Sequence, residues 1–156
     1  MTSSTTHKSN IIPQENWKQQ HDVVTHNDVI DAYLSGKKAG RNEWQIAMVK
    51  LFETNLKKAQ QASEDLYSKL ADNGLKMDSI HLKSDNPTNF MILLIATLED
   101  YTDPKFLDAI AISRKIKSQL DSSDFTINFL FTYTADSLNK RAISSDGYFL
   151  TFYGNK

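Results

Sequence analysis

The segment Phe90-Met91-Ile92-Leu93-Leu94-Ile95-Ala96-Thr97-Leu98 is apolar at every position but Thr97. A helix that crosses a bilayer needs about 20 apolar residues, so this run is too short to span one and must be covered by the rest of the fold or by a partner. Its flanks favour a strand. Pro87 precedes it, and Asp100, Thr102, Asp103 and Pro104 follow it. Strands rarely exceed about 10 residues and buried helices are rarely so short, which agrees with the flanks. A strand apolar on both faces lies in the middle of a sheet, so the fold is expected to be built around it.

Two further strands follow from patterning. Phe125, Ile127, Phe129, Phe131 and Tyr133 alternate with Thr126, Asn128, Leu130, Thr132 and Thr134, the period of a half-buried strand whose aromatic side meets the core. Ile80 and Leu82 alternate with His81 and Lys83 over Leu75–Lys83, and Ser84-Asp85-Asn86-Pro87-Thr88 then turns the chain back into the central run as a hairpin. Asp103-Pro104 opens a helix with the buried stripe Phe106, Leu107, Ile110, Ile112 and Ile116. That helix joins the central strand to the 125–134 strand, and a right-handed crossover makes the two parallel. Ile143–Gly147 reads as a turn, and Tyr148–Tyr153 as a last strand paired antiparallel with the one before it.

Upstream, Trp44, Met48, Leu51, Phe52, Leu56, Ala59, Ser63, Leu66, Tyr67 and Leu70 recur at spacings of three and four between Asn42 and Asn73. About 30 residues at a 1.5 Å rise make a helix of roughly 45 Å, longer than a small domain is wide, so part of it is expected to project or pair. Gly74 supplies its left-handed stop. Asn27 caps a shorter helix carrying Val29, Ile30, Tyr33 and Leu34 on one face. The expected fold is therefore α+β: an N-terminal helical segment with one long helix, then a ββαββ four-stranded mixed sheet covered by helices on one face. Residues 1–24, rich in Ser and Thr at their start, form a flexible tail, and 25–156 a single α+β domain.

The chemistry that the chain excludes is clearer than the chemistry it contains. There is no cysteine, which rules out disulfides, thiolate nucleophiles and cysteine zinc sites. The four histidines, His7, His21, His26 and His81, show no metal-ligand spacing, and Gly36-Lys37-Lys38 lacks the Gly and the Ser or Thr of a phosphate loop. No serine sits in a nucleophile elbow, and no motif implies a cofactor. With a formal net charge of -1 the chain has no field to draw nucleic acid or anionic lipid. No stretch resembles a secretory signal, and a cytoplasmic location is the expectation.

Two function classes remain. The first is a non-catalytic interaction or accessory module acting through self-association or a protein partner. Its contact residues are expected on the stripe of the long helix (Trp44, Phe52, Leu66) and on the terminal strand (Tyr148, Tyr153). The alternative is a metal-dependent enzyme or nucleic-acid-processing factor using Glu99, Asp100 and Asp103, where the central strand ends. Nucleic-acid binding by aromatics framed by Arg114, Lys115, Lys117, Lys140 and Arg141 is the weaker partner reading, and no membrane association is expected.

Overall fold

A computed structural model describes residues 17–19, 43–134 and 140–154. Their order is β1 (Trp17–Gln19), α1 (Glu43–Asp72), β2 (Met77–Asn86), β3 (Asn89–Ala96), α2 (Leu98–Tyr101), α3 (Phe106–Leu120), β4 (Thr126–Tyr133), α4 (Lys140–Ser145) and β5 (Leu150–Phe152). The sheet runs β1-β5-β2-β3-β4. β2 and β3 form the antiparallel hairpin that the Asn86-Pro87-Thr88 turn requires, with the Thr88 N–H donating to Asn86 Oδ1. β3 and β4 are parallel from Asn89↔Thr126 to Ala96↔Tyr133. The apolar run therefore has a neighbour on each side, as its composition demands.

The α+β class stands, and its detail needs correction. The sheet has five strands rather than four. The terminal strand pairs with β2 and β1, antiparallel to both, and not with β4. The chain between β4 and β5 contains α4 and carries the last strand to the other side of the hairpin. The fifth strand is β1, from the segment expected as a tail. Trp17 there is 6% exposed, its ring lies 5.5 Å from that of Phe152, and its Nε1 donates to Glu64 of α1. The expected short helix after Asn27 lies outside the described residues.

One face of the sheet holds the main core. Ile80, Leu82, Phe90, Ile92, Leu94, Ile127 and Leu150 meet Leu56, Ala59, Leu66 and Leu70 of α1 and Ala109 and Ile116 of α3. α1 is buried along its inner side from Val49 to Leu70. The sheet with α3 thus covers the helix from Val49 onward, and only its first turn stands clear, where the exposed large apolar side chains of α1, Trp44 and Ile46, lie. The helix stops where Gly74, at φ 79°, lets the Leu75 N–H reach back to Leu70 O and its own to Ala71 O. On the opposite face, Ile143 of α4 and Tyr148 pack on Ile95, with Met91 and Leu93 beside them, so helix is present on both faces.

Candidate interaction surface

β4 closes the described sheet on one side, and its hydrogen-bond register shows what the edge offers. The Thr126 N–H donates to Thr88 O and the Thr134 N–H to Ala96 O, which marks the even-numbered residues as those whose backbone faces β3. In a strand the backbone groups of successive residues point to opposite sides, so Ile127, Phe129, Phe131 and Tyr133 face outward. At Ile127 the outward groups are already used. Its N–H donates to Asp121 Oδ1 at 3.1 Å, and its carbonyl accepts from Lys117 Nζ at 2.9 Å. These two side chains, paired with each other at the end of α3, stand in for one residue of a neighbouring strand. The outward N–H and C=O groups of Phe129, Phe131 and Tyr133 have no protein partner among the described residues.

An open groove of about 480 Å³ runs alongside, between β4 and α3. Its apolar lining comes from Tyr101, Phe106 and Ile110 on the helical side and Phe129 and Phe131 on the strand. Phe106 meets Phe131 edge-on at 5.2 Å, and Tyr101 packs on both Phe106 and Tyr133. On the other face of β4, Leu130 is 48% exposed, and at its end Tyr133 is 38% exposed. β4 reads TINFLFTY, with no charge, proline or glycine. Free edges are normally blunted by charge, proline or a bulge because unpaired backbone recruits other chains. Among the described residues only the Lys117–Asp121 pair does so, at one end.

The residues expected from the sequence to make contact are scattered. Trp44 is 68% exposed on the first turn of α1. Phe52 and Leu66 are buried on the same helix, Phe52 stacked at 6.0 Å on Phe90. Tyr148 is buried against His81 and Lys83, and burial, aided by Asp146 and Asp85, pushes its hydroxyl pKa up. Tyr153 is half-buried, with Lys18 over its ring. None of the five lies among the residues lining the β4 groove. Alternation located the aromatic face of β4, but the uncharged composition suited a strand with two neighbours, so no sequence signal marked it as an edge.

Of the acidic residues near the end of β3, Glu99 is exposed, and Asp100 and Asp103 serve the backbone. Asp100 Oδ2 accepts from the Lys76 N–H at 2.8 Å, and its own N–H is capped by Thr97 Oγ1. Asp103 Oδ1 accepts from the Lys105 N–H, which shapes the turn into α3. No group of three or more His, Asp or Glu side chains able to hold a metal is present among the described residues. His81 is buried between two hydroxyls, Ser79 Oγ at 2.9 Å and Thr151 Oγ1 at 3.0 Å, which ties β2 to β5. No helix among the described residues is long and apolar enough to cross a membrane. Comparison of the chain with known protein families, with curated proteins and with solved structures finds no match.

Proposed function

We propose that this chain is a non-catalytic interaction module, acting through self-association or a protein partner at the edge of β4 and the groove beside it. The observation that carries the reading is the run Phe129–Tyr133, uncharged and with its outward backbone unpaired among the described residues, next to a groove with aromatic walls. An extended strand laid on that edge would gain main-chain hydrogen bonds, and its alternate side chains would enter the groove, the mode by which strands are added to sheets in recognition domains. Trp44, Ile46, Leu98 and Leu107 are exposed apolar residues elsewhere, on helices, where no extended backbone edge accompanies them.

The test uses the alternation of the backbone. Tyr133→Pro removes an outward N–H and leaves the β3 ladder whole, whereas Tyr133→Ala loses the ring but keeps the N–H. The reading predicts that self-association, or capture of a stoichiometric protein from native lysate, survives Tyr133→Ala and is lost in Tyr133→Pro at unchanged secondary structure. Retention of every interaction by a folded Tyr133→Pro protein would overturn it.

A further inference from the structure

We propose that the strand which completes the β4 edge is β4 of a second copy of this chain, antiparallel to the first about a two-fold axis at Phe131. The inference rests on the interaction edge just described and names its occupant.

The backbone groups left without a partner among the described residues are arranged symmetrically. They belong to Phe129, Phe131 and Tyr133, so a two-fold at Phe131 sets Phe129 opposite the partner copy's Tyr133 and Phe131 opposite itself. Every outward N–H then meets an outward carbonyl, because opposite residues of an antiparallel hydrogen-bonded pair exchange both bonds. The side chains agree with the same axis. Phe129-Leu130-Phe131-Thr132-Tyr133 has aromatics at both ends and at its centre, so aromatic meets aromatic on the groove face. Leu130 meets Thr132 on the other face, which covers the most exposed apolar side chain of the strand.

Other registers are less complementary. Ile127 is closed by Lys117 and Asp121, so an incoming strand has hydrogen-bonding positions from Phe129 onward only. Within the strand charge presents no obstacle, because a charged residue near a two-fold axis would face its own copy and β4 has none. Of the two cations that line the groove, Lys117 is neutralised by Asp121, and Arg114 stands on α3 rather than on the strand.

The two-fold stands perpendicular to the sheet, so both copies keep α3 on the same side and their grooves flank one seam. Edge pairing over so few residues covers less than the roughly 800 Å² per partner of a standard interface. The dimer therefore draws on the groove walls as well, and it is expected to form reversibly as concentration rises.

The absence of cysteine from the sequence makes the register directly testable. In this register Leu130 and the partner's Thr132 form a non-hydrogen-bonded pair with Cα atoms about 4.5 Å apart, within disulfide reach, whereas Leu130 and its own symmetry mate are diagonal neighbours about 7–8 Å or more apart. The double variant L130C/T132C should convert to a disulfide-linked dimer under mild oxidation, and L130C or T132C alone should link at least tenfold more slowly. Sedimentation of the unmodified chain should show a monomer–dimer equilibrium that Tyr133→Pro shifts to monomer.

A chain that stays monomeric at millimolar concentration, with no linkage in L130C/T132C, would overturn the second copy as occupant. The interaction edge would still stand if Tyr133→Pro then abolished capture of a different protein. A dimer that forms equally in Tyr133→Pro, or that links through the single cysteines as fast as the double variant, would place the contact elsewhere and overturn the proposal.

Discussion

Asn55 holds three parts of the fold together, and replacing it should be costly out of proportion to its size. It is 1% exposed on the inner side of α1, and its Nδ2 donates both hydrogens, to Pro87 O at 2.9 Å and Asp124 O at 2.7 Å. The first carbonyl lies in the β2–β3 turn and the second just ahead of β4, so one amide fixes the long helix to the hairpin and to the entry of the edge strand. Asn55→Ala removes two neutral hydrogen bonds, each with a net value of about 1 kcal/mol. It also leaves two partly buried carbonyls with poorer partners, a further cost of about 1 kcal/mol or more for each. Better helix propensity returns about 0.5 kcal/mol. The sum is a loss of about 3.5 kcal/mol or somewhat more. Asn55→Asp keeps the size but loses both donors and turns a carboxylate toward two carbonyl oxygens, so it should be worse than alanine at neutral pH and recover as the carboxyl protonates. Urea titration followed by circular dichroism would read both as shifts in midpoint at constant slope. A loss below about 1 kcal/mol for alanine, or an aspartate variant no worse than alanine, would refute the reasoning.

Other outcomes follow from burial. Leu66→Ala, at a position with 0% exposure, should cost about 2–5 kcal/mol, whereas Trp44→Ala on the exposed first turn of α1 should change stability by no more than about 0.5 kcal/mol. Gln60 is 1% exposed and its Nε2 finds no hydrogen-bond partner among the described residues, so Gln60→Met should be neutral or stabilising by about 1 kcal/mol in the same titration. For Tyr148, burial first and then Asp146 and Asp85 raise the hydroxyl pKa above its ordinary 10.0. The unfolded chain thus ionises first, and this residue's contribution is whole below about pH 10 and lost as pH rises toward the folded value. Tyr148→Phe should therefore flatten the decline in stability above pH 10, measured by urea midpoints across that range.

The elements most visible in the sequence were those with long, regular patterns. β3 declared itself by being apolar on both faces, and Asp103-Pro104 by opening a helical connection that makes β3 and β4 parallel. Gly74 marked the stop of α1, whose stripe from Phe52 to Leu70 is indeed its buried side. What escaped has physical reasons. β1 spans only Trp17–Gln19, too short for any period to register, and its place is set by Trp17 packing on Phe152 and bonding to Glu64. Sequence order alone pairs β5 with β4, because consecutive strands usually pair, but α4 intervenes and the Phe149 N–H bonds to Leu82 O as the chain enters beside β2. Phe129 and Phe131 alternate as core residues do, yet they are half-buried where β4, among the described residues, has one neighbouring strand rather than two. Side-chain period reports which face is apolar. It carries no information on whether a strand's backbone is paired on both sides, and the candidate surface depends on that distinction.

Amide hydrogen exchange along β4, followed by NMR in dilute and in concentrated protein, addresses the free edge itself. In dilute solution the Asn128, Leu130 and Thr132 amides, which face β3, and the Ile127 amide, held by Asp121, should exchange slowly, while those of Phe129, Phe131 and Tyr133 exchange fast. Raising the concentration should slow these three and leave the others unchanged. Equal protection of all β4 amides in dilute protein would mean that the edge is already closed within the chain, and would contradict the account.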